Sequence, residues 1–343
     1  MKALVLEEYH RLVYRDVPDP EVRPDDVLIQ VKACGICGSD VHGLDGSTGR
    51  RIPPVIMGHE ASGIVVAVGA NVKAFTRGER VTFDSTVYCG VCFHCRRGEI
   101  NLCDHRRVLG VSCGEYRQDG AMAEYIAVPQ HILYRLPEKI GFEQAAVVEA
   151  CAIACHAVER TPVSLNDTAL VVGAGMIGLL VIQALRAAGC GRIIAVDVQQ
   201  TKVGRAQQLG ADIGLNSRAT DVIAEIKRLT ADRGADIAFE AVGIAPALQT
   251  AIAGLRKGGA LTLIGNLSPT VDLALQSVVT RELTLYGSCG SRGEYPACLD
   301  LMARGTIDVD SLITAVAPLS EGAAWFKRLY AQEDGLFKVI LVP

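Results

Sequence analysis

Apolar residues follow two regimes along this chain. From residue 1 to about 80 they come in short alternating runs, V-L-I-Q-V at 27–31 and G-I-V-V-A-V at 63–68, between proline- and glycine-rich turns such as 18–24 and 77–79. A side-chain period of two, broken at such turns, predicts strands of a small irregular barrel. From about 165 to 287 the runs become unbroken, near 169–172, 192–196, 236–240, 260–264 and 283–286, with helical stretches such as 202–209 and 247–255 between them. Strands buried on both faces and alternating with helices imply a parallel, doubly wound sheet with right-handed crossovers. Between the regimes, residues 136–137 begin a turn into a helix over about 141–160. Beyond about 288 the pattern predicts helix, loop and a last strand at 338–342 that rejoins the first region.

The second regime opens on T-A-L-V-V-G-A-G-M-I-G at 168–178, a strand followed by G-x-G-x-x-G and an apolar stretch of helix length. Gly173 permits the tight turn, Gly175 lets backbone approach a pyrophosphate, and Gly178 lets helix and strand pack closely. With Met176 and Ile177 they form the opening turn of a helix whose free N–H groups face the phosphates. The strand at 192–196 ends in Asp197, 19 residues after Gly178, where a carboxylate bonds the ribose hydroxyls of NAD. Val242, just past the strand at 236–240, belongs to a strand end that lines a cofactor crevice.

Composition narrows the class. The chain has 343 residues, 50% hydrophobic and 21% charged, which suits an ordinary two-domain globular protein. A formal charge of −4 without a basic stretch argues against a nucleic-acid partner. No apolar run is long enough to span a membrane, and the first residues, M-K-A-L-V-L-E-E, read as a strand rather than a signal peptide, so a cytoplasmic location is expected. Twelve cysteines in such a chain point to metal ligation and buried thiols before disulfides.

Four of these cysteines carry the sharpest signal. Cys89, Cys92, Cys95 and Cys103 give C-x2-C-x2-C-x7-C, the donor set of a closed tetrahedral zinc site with no position left for substrate. An iron–sulfur cluster or free thiols are the rival readings. Cys37, His59 and Glu60, in A-C-G-I-C-G-S-D-V-H and I-M-G-H-E, combine thiolate, imidazole and carboxylate, a mixture that suits a zinc with an open position. A small buried cysteine and a turn before a strand would look the same. Glu149 stands in an almost wholly apolar helix with Cys151 and Cys155. It either faces solvent or is buried beside a charge or a metal. Arg50 and Arg51, between the two ligand motifs, read as solvated loop residues that could otherwise meet a phosphate.

With these pieces in place, the sequence resembles the zinc-containing medium-chain dehydrogenase/reductase (alcohol dehydrogenase) family over its whole length, closest to its polyol branch, which includes sorbitol dehydrogenase and galactitol-1-phosphate 5-dehydrogenase. The resemblance rests on C-G-S-D-V-H at 37–42, G-H-E at 58–60, the cysteine quartet and V-G-A-G-M-I-G at 172–178. It implies a β-rich GroES-like catalytic domain (residues 1–155 and 289–343) with a structural zinc lobe at about 89–103, and a Rossmann domain at 156–288. It also implies two zincs per chain. Cys37 and His59 match ligands of the catalytic zinc, with Glu60 and Glu149 binding directly or through water. Ser39 matches the hydroxyl that accepts the alcohol proton, and His42 the group that passes it to solvent. The implied activity is hydride transfer from a secondary alcohol of a polyol, sugar or sugar phosphate to NAD, by a homodimer or homotetramer. An alcohol or threonine-type dehydrogenase on a non-sugar substrate, or a non-catalytic zinc- and nucleotide-binding protein, are the alternatives. Two departures stand out. Ala150 follows Glu149 where the family commonly has proline, which makes Cys151 a rival donor, and Arg292 is shifted from the arginine that helps hold a polyol in sorbitol dehydrogenase.

Overall fold

Asp26–Gly35, the longest strand of the β-rich region, organises everything around it. It pairs antiparallel with Glu60–Val68 and, at its far end, with the final strand Lys338–Val342. Gly35 lies opposite both Glu60 and Ile340, so the last strand of the chain is brought beside the start of Glu60–Val68. Arg80–Phe83, Leu133–Arg135, Tyr125–Pro129 and Ile313–Pro318 complete a seven-stranded sheet, and Lys2–Glu8, Arg11–Asp16 and Val55–Ile56 make a second, three-stranded one. Val27, Ile29, Val65, Val81, Phe83 and Leu341 pack between them as a closed apolar core.

This computed structural model describes Met1–Pro343, and the chain forms two units. One comprises Met1–Glu149, Tyr295–Arg304 and Val309–Pro343, the other Ala150–Glu294 and Gly305–Asp308.

The second unit is a six-stranded, all-parallel sheet. Its spatial order is Ile213–Asn216, Arg192–Asp197, Thr168–Val172, Ala235–Glu240, Leu255–Leu263, Thr284–Gly287. In chain order that is 3-2-1-4-5-6, the doubly wound arrangement whose switch point lies between the first and fourth strands. Helices Met176–Ala187, Gln200–Gln208, Val222–Leu229 and Ala245–Gly254 connect the strands. Two expectations need adjustment. The strand Ile213–Asn216 reads I-G-L-N, too short and glycine-broken to stand out as an apolar run. The helix expected over 141–160 is two helices, Phe142–Ala145 and Val148–Arg160, because the first turn closes on itself through Gln144, whose side chain accepts the Gly141 N–H.

Candidate active site

Cys37 is the N-cap of the short helix Gly38–Gly43, while His59 and Glu60 lead into the strand Glu60–Val68. One donor atom from each comes within 4.8 Å of the others. His59 and Glu60 are buried, and so is Glu149, in the first turn of Val148–Arg160. Glu149 is not part of the three-donor cluster, yet it shares the electrostatics of His59 and Glu60.

Each acid is held on one side and left open on the other. Glu60 Oε2 accepts from Lys338 Nζ at 2.6 Å, and the Oε1 atom has no partner. Glycine is needed at position 35 because a Cβ there would stand 2.4 Å from Glu60 Oε2. Glu149 Oε1 accepts from Ser85 Oγ at 3.4 Å, and its Oε2 is likewise without a partner. Burial, together with the Glu60 and Asp84 carboxylates, pushes the Glu149 carboxyl up to about 7. Burial would lower the His59 ring, but Asp40 and Cys37 outweigh it and raise its pKa well above the usual histidine value. In other words, the pocket attracts positive charge. Two buried, unpartnered carboxylate oxygens beside a thiol and an imidazole fit a divalent cation of zinc's donor preference.

Around the imidazole, Asp40 Oδ1 lies 3.3 Å from Nδ1 and Ser39 Oγ 3.4 Å from Nε2. Asp40 Oδ1 also accepts from Arg51 Nη2 at 2.8 Å. Burial would raise Asp40, but His59 and Arg51 hold it far below the usual carboxylate range. Arg51 is therefore not a solvated loop residue: it is 3% exposed and committed to Asp40, while Arg50 remains at the surface. Lys338, Asp40 and Ser85 were not singled out from sequence. A lysine opening an otherwise apolar strand is the one local signal for Lys338. His42 sits three residues after Ser39 on the same short helix, on the same face.

The cysteine quartet forms a separate cluster, with all four sulfurs within 4.8 Å of one another. Cys89 and Cys95 sulfurs are 4.0 Å apart, and those of Cys92 and Cys103 are 3.9 Å apart. Bonds of ~2.3 Å from four sulfurs to one ion give a tetrahedron with edges of about 3.8 Å, so the spacing fits zinc. Backbone N–H groups of Val91 and Cys92 draw the Cys89 thiol down to about 7, whereas burial and the neighbouring thiols push Cys95 up to about 12. His94 is taken by Glu99 at 2.8 Å, and His105 is exposed. Cys151 is absent from the donors around Cys37; it lies two residues from Glu149 on the same helix, which places it on another face.

In the second unit, Gly175 caps the helix Met176–Ala187, with Met176 and Ile177 in its first turn. Gly173 has a φ of 97°, and a Cβ there would meet Val242 at 2.5 Å. A Cβ on Gly178 would strike the Gly173 carbonyl. Asp197 accepts from Ala174 N at 2.8 Å and Gln199 N at 2.9 Å, which fixes the glycine loop against the next strand end. Glu240, buried, takes the N–H groups of Val242 and Gly243 at 2.8 Å and so shapes the neighbouring turn. The arginine at 292 is exposed and faces Glu159 at 4.0 Å.

Such a fold and donor set define a nucleotide-binding metalloenzyme. Residues 23–138 match the alcohol dehydrogenase GroES-like domain model, and residues 177–304 the zinc-binding dehydrogenase model. The chain belongs to the zinc-dependent alcohol dehydrogenase family and is an oxidoreductase with a GroES-like and a Rossmann-type domain. It is 33% identical to a sorbitol dehydrogenase of Bacillus subtilis (strain 168), covering 100% of this chain and 97% of that protein. A solved galactitol-1-phosphate dehydrogenase from Escherichia coli is similar at a TM-score of 0.92 and 26% identity, with both chains covered 100%. So is a structure from Sinorhizobium meliloti 1021 bound to NADP, at 0.92 and 32% identity, covering 100% and 99%. No helix is long and apolar enough to cross a membrane.

Proposed function

We propose that this chain oxidises a secondary alcohol of a polyol, sugar or sugar phosphate with NAD, using one catalytic and one structural zinc. The observation that carries the reading is the convergence of Cys37, His59 and Glu60 next to two buried carboxylate oxygens that lack partners. Cys37, His59 and Glu60 Oε1 would hold the catalytic ion with Glu149 beside it, and the four cysteines the structural one. When bound, the catalytic zinc would act as a Lewis acid on the alcohol oxygen, with the nicotinamide as hydride acceptor.

The chain's own groups do the rest. Ser39 accepts the hydroxyl proton, and His42, one helical turn on, passes it to solvent. At the cofactor, Asp197 favours NAD: its carboxylate accepts from a ribose hydroxyl and repels a 2′-phosphate. The names of the relatives support the polyol class, and the exposed Arg50 is the candidate for a phosphate. The family resemblance supports a homodimer or homotetramer, and the strand-like N-terminal sequence supports a cytoplasmic location.

Metal analysis combined with a screen of polyols, sugars and sugar phosphates for NADH formation tests this. About two zincs per chain and turnover on one of these classes are expected. One zinc or none, or equal efficiency with NADP, would overturn the corresponding part.

A further inference from the structure

The loop between the two ligand motifs is not slack. Arg51 forms a parallel bridge with Ser112, and Ser112 N donates to Arg50 O at 3.2 Å while Ile52 N donates to Ser112 O at 2.9 Å. Position 51 is thereby tied to a fully buried serine. The arginine stem then passes the helix Gly38–Gly43 at its last residue, where only a glycine fits: a Cβ on Gly43 would stand 2.4 Å from Arg51 Cγ. The guanidinium ends under the N-terminal turn of that helix. Its Nη2 donates to Asp40 Oδ1 at 2.8 Å and to Ser39 Oγ at 3.4 Å, and its Nη1 to Arg50 O at 3.3 Å.

Asp40 is fully buried and reaches both metal-ligand candidates. Its Oδ1 lies 3.3 Å from His59 Nδ1, and its Oδ2 accepts from the Cys37 backbone N–H at 3.4 Å. The carboxylate is thus hydrogen-bonded by the guanidinium on one side and faces the imidazole at ion-pair distance on the other. The same Arg51 nitrogen bears on the Ser39 hydroxyl, which in turn lies 3.4 Å from His59 Nε2.

We infer that Arg51 is a positioning residue: through Asp40 it fixes the His59 ring for the metal, and through Ser39 it fixes the hydroxyl that takes the substrate proton. This rests on the proposed catalytic site at Cys37 and His59. A planar fork suits the task, because one guanidinium can face two acceptors in fixed geometry, whereas an ammonium is a single point charge. Groups that orient a ligating histidine change metal affinity by roughly 10–100-fold when removed.

The test compares wild type, Arg51→Lys and Arg51→Met as full-length protein. Zinc release to a chelator such as dipicolinate is followed with the quartet zinc as internal reference. Visible spectra of the cobalt-substituted protein report the geometry at the catalytic position. Arg51→Met should release the catalytic zinc about 10–100-fold faster, leave the quartet zinc in place, and shift the cobalt bands. Turnover should fall more than KM rises, since Ser39 serves the proton-transfer step. Arg51→Lys should recover part of the metal retention and less of the turnover. Wild-type release rates and cobalt spectra in both variants, whatever their melting temperatures, would overturn the inference. Should Arg51→Met not fold, the Arg51→Lys spectrum and release rate decide it by the same criterion. If wild type itself shows no labile zinc or cobalt site apart from the quartet, the catalytic-site reading fails instead.

Discussion

The two donor clusters of the first unit are built on opposite plans. Cys89, Cys92, Cys95 and Cys103 come from one loop in which the outermost ligands are 14 residues apart. Val91 and Phe93 within it are 66% exposed, so the loop has almost no apolar core of its own. Its sulfurs face one another and the backbone, and only a cation relieves the mutual repulsion of four thiolates. The cluster at Cys37 is buried and composite: a helix cap, a strand start, the beginning of another helix and the final strand each bring one group. Here protein cations do part of the neutralising, with Lys338 on Glu60 and Arg51 on Asp40. A local set that metal alone could close would serve as a staple. A set half-satisfied by protein can let a donor go and take it back.

The contrast can be broken in four ways. Cys92→Ser puts the most at stake, since binding energies on the order of 10 kcal/mol sustain small zinc lobes. It should remove about one zinc equivalent and lower the melting temperature; unchanged zinc and melting would mean that the quartet holds no metal. Next, Glu149→Gln should cut turnover by roughly 10²–10⁴ with fold and NAD binding intact, and Cys151→Ala should be far milder. Full activity in Glu149→Gln with zinc loss in Cys151→Ala would move the site onto cysteine. Third, Lys338→Met leaves Glu60 buried without its cation and should cost about 3–5 kcal/mol in the metal-free protein. Calorimetry with and without zinc checks this, and the zinc-loaded protein should suffer less.

The smallest effect is a control in the second unit. His156 Nδ1 and Glu294 Oε1, both buried, are 2.7 Å apart. Burial would raise the Glu294 carboxyl, but the His156 ring and the Arg292 N–H outweigh it and hold it below its ordinary value. A depressed carboxyl stabilises the fold above its unfolded pKa of about 4.5 and loses that contribution as pH falls through the folded value. Glu294→Gln should therefore cost about 1.5–3 kcal/mol at pH 7, lose that margin progressively as pH falls below about 4.5, and leave zinc content untouched. Denaturation curves across that pH range, with zinc counted at each point, decide it.

Legibility from sequence follows the same divide. The quartet and the glycine turn are local, so spacing alone placed their residues together. His59 and Glu60 could be paired with Cys37 by donor type, while the apolar neighbours of Glu149 marked only a candidate buried acid and the family resemblance alone put it near them. Arg51 was misread because a basic pair after S-T-G looks solvated, and burial depended on Gly43 and Ser112 making room and anchoring it. Lys338 escaped notice because its partner is 278 residues away, and no periodicity carries information across that distance. In the parallel sheet the long apolar strands were plain, whereas Ile213–Asn216 is held mainly by pairing with Arg192–Asp197.

That separation between Glu60 and Lys338 also sets an order of events during synthesis. At ~5–20 residues per second, a ribosome completes the 14-residue span of the quartet within about 3 s, but needs roughly 15–55 s more after Glu60 to deliver Lys338. For that interval the nascent chain can trap metal in its loop while the acid of the other site has no counter-charge and no strand to close over it. The pocket around Glu60 thus closes only when Lys338 arrives, and a nascent chain halted before that strand would hold its cysteine loop complete but the acid of the other cluster uncovered.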